Sequence, residues 1–348
     1  MTNPDGVLTV LQTEGYRRLI SEQGRLRRSA ERVAAPQRRQ ILVRLMAASV
    51  NFRDGLISAG KNFRGSVPDN IIPLSDAAGF VVAVGTDVTR WKVGDRIAST
   101  FMPRWVAGEI DTYKAAIVTG TAVDGVLVRH RLFDEEEVVR IPDHLDFAEA
   151  ATLPTAALTA WSAINGPTPV RAGETVLVLG TGGVSTFACQ FALAAGARVI
   201  VTSSSDDKIA MAARLGVTEG INYVDTPEWQ LEVRSRTDQR GADHVVETHG
   251  AGTVEKAIAA CRMGGQVLFI GTKSTGQLDA SIVLRSRVVV RSVTVGSHEA
   301  FAQMNRCLSL HRLRPVIHRA FPFAQAEAAI AYLRTGAHFG KVVVNFDA

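Results

Sequence analysis

Apolar residues follow two different periods in the middle of the chain. The segment Thr175–Leu179 is short, apolar and rich in β-branched residues, which predicts a buried parallel strand. From Val184 to Ala195 the apolar residues recur at helical spacing, and Ala197–Thr202 forms a second apolar run. The order strand, helix, strand predicts one βαβ unit in this part of the chain.

The glycines between the first strand and the helix suit a phosphate group. Gly180 permits a tight turn, and Gly182 lets the backbone approach a pyrophosphate that the N–H groups of the helix N-terminus can hold. Ser185 occupies the third position of the pattern, where a small residue allows close packing of helix on strand. The pattern therefore predicts a dinucleotide site whose contacts are Gly180, Thr181, Gly182, Gly183 and Val184.

The end of the second strand favours one dinucleotide over another. An NAD site uses a carboxylate there to bind the ribose 2′-hydroxyl. Here Ser203 and Ser204 stand at the strand end and Lys208 follows, so hydroxyls and a cation replace the acid. These three residues are expected to bind the 2′-phosphate of NADPH, although Lys208 also fits a solvated helix lysine. The two aspartates before it are explained as first-turn acids that favour the helix dipole.

Composition excludes several classes of protein. The 348 residues, 46% hydrophobic and 21% charged, predict two folded domains with substantial cores. The net charge of +5 comes largely from early arginines that lack interleaved aromatics beyond Tyr16, so we expect a solvated hairpin face and no nucleic-acid partner. The sequence shows no leader and no membrane-spanning run, which makes a cytoplasmic protein without a membrane partner the expectation. The three cysteines are singly placed and predict small core residues.

Several further elements are predicted outside the βαβ unit. Short strands are expected at Val7–Gln12, Tyr16–Ser21, Gln40–Ala48 and Val123–Val128. The irregular segment Phe101–Tyr113 has two interpretations. It is either a pocket wall with Phe101 and Trp105 near substrate, or a surface excursion with its own small apolar cluster.

Six segments in order carry a family resemblance: Ala48–Asp54, Leu74–Gly85, Lys92–Ile97, Ala148–Ile164, Gly173–Tyr223 and Phe339–Val344. The chain resembles the medium-chain dehydrogenase/reductase superfamily in its zinc-independent, quinone oxidoreductase-like branch. The resemblance implies an α/β protein with a GroES-like β-barrel catalytic domain at 1–153 and 299–348. It implies a Rossmann domain with a doubly wound parallel sheet at 154–298, and a homodimer joined through the apolar edge strand near residue 290.

The chain departs from the zinc-dependent relatives at the metal ligands. Asn51 stands where those relatives have a cysteine, and Ala78-Gly79-Phe80 stands where they have Gly-His-Glu. The region 101–131 contains no cysteine, whereas those relatives carry four structural ones there. Because zinc needs thiolate, imidazole or carboxylate ligands at converging positions, we expect a site without metal.

The resemblance also implies cofactor contacts beyond the glycine turn. Thr155 and Thr159 correspond to the region near the nicotinamide, although both also fit helix capping. Tyr223 resembles the residue that packs near the adenosine. The remaining expected contacts lie at later strand ends and in the closing strand, namely Ile270, Gly271, Gly296, Ser297 and Lys341.

Four residues are candidates for the chemistry or for the rim of the pocket. Asn51 is expected to make a polar contact to the substrate oxygen or the nicotinamide ribose, unless it only caps a turn. Asp54 and Lys61 are weaker candidates for the pocket rim. His249 faces the cofactor crevice if the resemblance holds, where it can donate a hydrogen bond or a proton; alternatively it is a strand-end residue bonded to backbone.

These features predict hydride transfer from NADPH to a quinone or an α,β-unsaturated carbonyl without a metal. Such acceptors are already electrophilic, so they need orientation and a hydrogen bond to the developing oxyanion. One alternative is a zinc-free NADPH-dependent carbonyl or alcohol oxidoreductase, which needs a proton donor such as His249. Another is a non-catalytic NADPH-binding protein with a filled pocket.

Overall fold

A computed structural model describes residues 10–22, 24–59, 67–271 and 273–347. Within these ranges the strands are β1 (Val10–Leu19), β2 (Arg25–Ala34), β3 (Gln40–Val50), β4 (Asp76–Val84), β5 (Arg96–Ser99), β6 (His130–Asp134), β7 (Val138–Arg140), β8 (Thr175–Leu179), β9 (Arg198–Ser203), β10 (Glu219–Asn222), β11 (Ala242–Glu247), β12 (Cys261–Phe269), β13 (Val289–Ser292), β14 (Ile317–Pro322) and β15 (Lys341–Asn345). The α-helices are α1 (Phe52–Ser58), α2 (Thr112–Ala115), α3 (Phe147–Ala150), α4 (Leu158–Ile164), α5 (Gly183–Ala194), α6 (Asp206–Ala213), α7 (Trp229–Arg236), α8 (Ala251–Ala260), α9 (Ala280–Ser286), α10 (His298–His311) and α11 (Ala326–Arg334). A π-helical turn, Leu153–Ala157, leads into α4.

The chain divides into two compact units. Unit 1 comprises Met1–Leu158 and Gly296–Ala348, and unit 2 comprises Thr159–Val295. The boundaries expected from the sequence, at 153 and 299, lie a few residues away from these positions. Unit 1 is discontinuous in sequence, whereas unit 2 is a single stretch.

Unit 2 contains a six-stranded parallel sheet in the order β10-β9-β8-β11-β12-β13. Counted from β8, this is the 3-2-1-4-5-6 order of the doubly wound dinucleotide-binding fold. All five residues of β8 are buried, as the continuous apolar run predicts for a strand covered on both faces. The predicted Rossmann sheet is therefore confirmed.

Unit 1 is organised around a second sheet in the order β14-β15-β3-β4-β5-β7, with β6 also paired to β3. Its pairs are antiparallel except that β14 runs parallel to β15. The alternating side chains of β3 and β4 bury one face in a core that includes Val43, Leu45 and Val81. This GroES-like sheet, together with the Rossmann unit, confirms the predicted fold class.

The N-terminal strands differ from the prediction. β1 is one continuous strand from residue 10 to residue 19, paired along its length with β2, so the expected division into two short strands is wrong. Residues 7–9 of the first expected strand lie outside the described residues. Gly15 lies within β1, where an added Cβ would stand 3.1 Å from Val128, so this close approach favours glycine. The arginine-rich segment forms β2 and exposes Arg25, Arg27 and Arg28, which agrees with a solvated hairpin face.

The segments 123–128 and 101–111 of unit 1 are both loops. Val123–Val128 is irregular, and its backbone forms hydrogen bonds with the segment 72–74, so the predicted strand is wrong.

In the segment 101–113, Phe101 is buried beneath the guanidinium of Arg53. The same segment accepts two backbone hydrogen bonds from the start of α10, at Trp105 and Val106.

Two expectations from composition can be compared with the fold. Cys189 and Cys261 are buried and Cys307 is half-buried, and all three are free thiols. Across the described ranges, no helix has the combined length and apolar character that crossing a membrane requires.

Candidate functional site

The glycine turn follows β8 at the carboxyl edge of the parallel sheet. Gly180 has φ = +77°, and a Cβ there would stand 3.0 Å from His249 Cε1, so both conformation and space require glycine. α5 begins after Gly182, and no described side chain caps it, which leaves its first N–H groups available to a ligand. Ser185 Oγ donates to Leu179 O at 2.9 Å and holds helix against strand. The predicted contacts from 180 to 184 thus lie together in this turn.

The end of β9 carries hydroxyl groups beside the glycine turn. Ser203 is buried and its Oγ accepts a hydrogen bond from Ser205 N, whereas Ser204 is exposed. Tyr223 N donates to Ser203 O at 2.9 Å, which brings the tyrosine to the same strand end. Asp206 accepts from Asn222 Nδ2 at 3.0 Å, so the first acid after the strand already has a partner.

Two lysines lie near each other at this edge. Lys208 is in the first turn of α6, and burial lowers its pKa. Crowding by protein atoms lowers the pKa of Lys273, although much of that residue's surface is exposed, and the charge of Lys208 lowers it further, against the opposing effect of Glu247. Sequence reasoning missed Lys273, although its position just after β12 was a usable signal.

His249 lies between the glycine turn and Tyr223. Its ring meets the ring of Tyr223 edge to face with centroids 6.5 Å apart. Nδ1 is buried and has no hydrogen-bond partner among the described residues. Burial lowers the pKa of His249 to about 4, with Lys273 contributing, so the ring is neutral at pH 7. A neutral imidazole suits a hydrogen bond to a ligand better than delivery of a proton.

A buried carboxylate shapes the backbone around His249. Glu247 accepts hydrogen bonds from the N–H groups of His249 and Gly250, each at 2.8 Å, and from Thr253 Oγ1 at 2.7 Å. Burial raises the pKa of Glu247, and these three donors oppose the rise. Glu247 was not predicted, because an acid at the end of a strand has no distinctive pattern.

The expected contacts Ile270 and Gly271 lie next to this turn. Both donate their backbone N–H to Glu247 O, at 2.9 and 3.0 Å. A Cβ on Gly271 would come within 2.4 Å of the His249 backbone, so the ends of β11 and β12 meet closely here. Carboxyl ends of neighbouring parallel strands are where ligands bind in open sheets.

Unit 1 holds a second polar site, built on Asn51 and Lys341. Lys341 Nζ donates to Asn51 Oδ1 at 2.6 Å and to Val50 O at 2.8 Å. Because an ammonium group can only donate, the amide oxygen must face the lysine. The other amide atom, Asn51 Nδ2, is buried without a hydrogen-bond partner in the described ranges. Burial lowers the pKa of Lys341, while the nearby carboxylates of Asp76 and Asp54 act in the opposite direction.

Two buried carboxylates complete this network. Asp54 Oδ2 accepts from Asn51 N at 2.8 Å, and burial raises the pKa of Asp54. Asp76 accepts from Ser75 Oγ at 2.6 Å, from Thr155 N at 3.0 Å and from Thr155 Oγ1 at 2.6 Å. Asp76 was not predicted, since no spacing in the sequence links it to its partners. The network formed by Asn51, Asp54, Asp76, Thr155 and Lys341 is called the Asn51 network below.

The remaining expected contacts have separate positions. Thr159 is buried in α4 at the start of unit 2. Gly296 and Ser297 begin the last segment of unit 1, where Ser297 Oγ accepts from Ala300 N and caps α10. Lys61 lies outside the described residues.

The residues around Asn51 do not fit a zinc ion. A zinc site brings together deprotonated thiolate, imidazole or carboxylate ligands. Here the ammonium of Lys341 is 2.6 Å from the only oxygen of the Asn51 side chain and would repel a divalent cation. The part of the chain that the structure describes contains no group of three or more His, Cys, Asp or Glu side chains arranged to hold a metal.

Comparison with known proteins agrees with this architecture. The alcohol dehydrogenase GroES-like domain family matches residues 37–143, and the zinc-binding dehydrogenase family matches residues 183–309. A zinc-type alcohol dehydrogenase-like protein from Schizosaccharomyces pombe is 38% identical over 316 residues, which cover 88% of this chain and 91% of that protein. The human quinone oxidoreductase is 26% identical over 330 residues, covering 91% and 92% of the two chains.

A solved structure leads to the same class. The crystal structure of a Sinorhizobium meliloti protein that is described by similarity as an alcohol dehydrogenase has a TM-score of 0.90 and 35% identity, and the match covers 97% of this chain and 99% of that one. The chain belongs to the medium-chain dehydrogenase/reductase superfamily, as the sequence motifs indicated. It is accordingly an oxidoreductase of that type.

Proposed function

We propose that the protein transfers a hydride from NADPH to a quinone or an α,β-unsaturated carbonyl without using a metal. The observation that carries the proposal is the orientation of Asn51. Lys341 fixes the amide oxygen, so Nδ2 remains a buried donor that no described residue uses. An unsatisfied buried donor costs about 1–3 kcal/mol, which a ligand oxygen can recover.

This donor matches the electronic demand of the proposed acceptors. Hydride addition to an enone or a quinone places negative charge on the carbonyl oxygen, as an enolate or a phenolate. A preorganised N–H that meets this oxygen in a water-poor site stabilises the transition state more than the ground state. NADPH supplies the hydride when bound, and the protein supplies orientation and the hydrogen bond. Asn51 is the proposed residue for that hydrogen bond.

Three features support NADPH as the dinucleotide. The end of β9 offers the hydroxyls of Ser203 and Ser204, and the nearest acid, Asp206, already bonds Asn222. Lys208 and Lys273 are close enough for one to lower the pKa of the other, and this repulsion is relieved when a phosphate dianion binds between like charges. We propose that these two lysines bind the 2′-phosphate while the N-terminus of α5 binds the pyrophosphate.

The names of relatives and the state of His249 favour this acceptor class. Homologues from human and from Pseudomonas aeruginosa, the latter 30% identical over 269 residues, are named quinone oxidoreductases. A plain ketone needs a proton donor for the alkoxide that forms, and His249 was the side chain considered for that task. With its pKa lowered to about 4 by burial, His249 carries no readily released proton at pH 7.

A homodimer is part of the same proposal. β13 is the last strand of the parallel sheet, so one of its edges lacks a partner strand in the described chain. Val289 in this strand is 57% exposed. Because bare apolar edges favour pairing with another strand, we propose that β13 joins two copies of unit 2.

The test is anaerobic NADPH oxidation with a naphthoquinone, an alkenal, a cyclic enone and a plain ketone. We expect turnover of at least one of the first three and not of the ketone. Turnover of the ketone alone, or of nothing, would contradict the proposal. Two variants then examine the amide: Asn51→Leu removes the donor, and Asn51→Asp keeps the shape and the contact with Lys341 but not the donor.

Both variants should lower kcat by about 10²–10³, with KM changed only a few-fold, because the bond strengthens in the transition state. The Kd for NADPH, measured by nucleotide fluorescence, shows whether the cofactor site stays intact. If Asn51→Leu retains kcat within about twofold of the parent, the amide has no part in the chemistry.

A further inference from the structure

Unit 1 contains a cavity that is lined by none of the residues of the Asn51 network. Its volume is about 590 Å³, within the range of small-molecule sites. One wall is β7 with the segment that follows it to Asp143, and the opposite wall is one face of α10. Neither the family resemblance nor the hydride chemistry gives this cavity a role.

The two walls are tied together at two points. His298 Nε2 donates to Val138 O at 3.0 Å, and Asn305 Nδ2 donates to Arg140 O at 2.8 Å. These bonds are seven residues apart on α10, which is about two helical turns. The cavity is therefore held open by the fold and does not need a ligand in order to form.

Two of the side chains that line the cavity carry acceptor atoms. A carbonyl oxygen can only accept, so the Asn305 atom that touches Arg140 O is the nitrogen and the other atom is Oδ1. Asn305 is 8% exposed, and its Oδ1 is buried with no hydrogen-bond partner in the described parts of the chain. Burial lowers the pKa of His298, which favours the neutral ring, and the bond to Val138 O requires the hydrogen on Nε2, so Nδ1 is a second acceptor.

The rim of the cavity is cationic. Arg140 pairs with Asp95 at 3.1 Å and lies over the Trp91 ring, so its charge is already compensated. Arg90 and Arg306 also line the cavity, are exposed, and form no ion pair with any described residue. The acid among the lining residues is Asp143, which is exposed and adds another acceptor.

We propose that this cavity binds a phosphorylated sugar, with Arg90 and Arg306 on the phosphate and Asn305 Oδ1 accepting from a sugar hydroxyl. Two guanidinium groups match a phosphate dianion, which they can bind through paired N–H donors. Sugar hydroxyls can donate hydrogen bonds to the acceptor atoms of Asn305, His298 and Asp143. In dinucleotide-binding folds a carboxylate binds the ribose hydroxyls in the same way. The ligand can be a free sugar phosphate or the ribose phosphate part of a nucleotide.

Isothermal titration calorimetry with the full chain tests the proposal. The probes are ribose 5-phosphate, AMP, ribose and inorganic phosphate. We expect ribose 5-phosphate or AMP to bind more tightly than either ribose or inorganic phosphate tested separately. Stronger binding of AMP identifies a nucleotide as the source, and equal or stronger binding of ribose 5-phosphate identifies a free sugar phosphate. Equal binding of inorganic phosphate and ribose 5-phosphate would overturn the sugar contact.

Variants locate the binding. Arg306→Ala and Arg90→Ala should each weaken the sugar phosphate about tenfold, since a hydrogen bond to a charged group is worth about 1.5–3 kcal/mol. Arg27→Ala removes an exposed arginine from β2 and should leave the affinity unchanged. The NADPH Kd and kcat should also stay unchanged in Arg306→Ala. Binding that neither cavity variant weakens, or no binding at millimolar concentration, would overturn the proposal.

Discussion

The glycine turn of unit 2 and the Asn51 network of unit 1 prepare for ligands in opposite ways. The turn leaves the first backbone N–H groups of α5 without side-chain caps from any described residue. These groups complete their hydrogen bonds only when a ligand binds. The Asn51 network is made of buried ionisable groups that already satisfy one another, and it leaves one amide donor unused. Changes in the network should therefore damage stability first, and changes in the turn should damage binding.

The largest expected effect follows from removing a carboxylate of the network. Asp76→Ala deletes the acceptor of three hydrogen bonds and leaves Lys341 buried beside one acid fewer. Breaking a buried charge network in this way costs about 3–5 kcal/mol. Urea unfolding should show this loss. Asp87→Ala is the control, because its ion pair with Arg38 is on the surface and should contribute below about 1 kcal/mol.

If Asp76→Ala lost no more stability than Asp87→Ala, the buried charges of unit 1 would not be coupled. The contrast between an internally hydrogen-bonded network and a turn with uncapped N–H groups would then be wrong. A loss of stability in unit 1 alone, with the NADPH affinity of unit 2 retained, would strengthen this contrast.

A pair of glycine substitutions examines the turn. Gly180→Ala must accommodate φ = +77° and a contact of 3.0 Å with His249, for a combined cost of about 2–3 kcal/mol. Gly173→Ala has φ = +83° but nothing within 4 Å, so it should lose only about 1 kcal/mol. Thermal unfolding measures both. NADPH affinity should fall at least about tenfold for Gly180→Ala and stay constant for Gly173→Ala.

Equal stability losses in the two glycine variants would mean that His249 does not constrain the turn. An unchanged NADPH Kd in Gly180→Ala would separate the dinucleotide from the turn altogether.

The pH dependence of stability examines His249. The folded pKa of about 4 lies below the ordinary value of 6.5, so in this window the unfolded chain binds a proton that the native protein does not. Stability from this residue is thus present above pH 6.5 and is lost as the pH falls towards 4. Between about pH 7 and about pH 5 the loss should be about 2 kcal/mol. His249→Gln should abolish that part of the loss, whereas His311→Gln, at the exposed end of α10, should retain it.

The smallest effect concerns the choice of cofactor. Lys208→Ala should weaken NADPH about tenfold and leave NADH unchanged, because only NADPH carries the 2′-phosphate. Lys256→Ala, which removes a lysine paired with Glu228, is the matched control in the same unit. An equal loss for both nucleotides would assign Lys208 to the pyrophosphate or to the fold.

The open turn could be predicted from sequence because its determinants are local. Gly180, Ser185, Ser203 and Lys208 lie within thirty residues, and the periods of strand and helix set their order in space. The network could not be predicted in the same way. Asn51 and Lys341 are separated by 290 positions, and only the pairing of β15 with β3 brings them together. The resemblance indicated both residues but did not indicate their contact.

Other failures have equally physical causes. The division of β1 into two short strands was wrong because Gly15 lies inside one continuous strand, where it accommodates the close approach of Val128. Glu247 ends β11 without a distinctive motif, and Lys273 follows β12, so the parallel order of these strands is what places both residues at the same edge. A site built from residues that are close in sequence can be predicted from the sequence, whereas charge contacts between distant residues depend on the fold.

The position of β15 between β14 and β3 has a consequence for how the chain matures on the ribosome. Unit 2 is contiguous, so its six strands can assemble while translation continues. The sheet of unit 1 stays incomplete until residues 341–345 emerge. A nascent chain thus acquires its glycine turn well before Asn51 is oriented, and we expect oxidoreductase activity to begin only when the last strand is inserted.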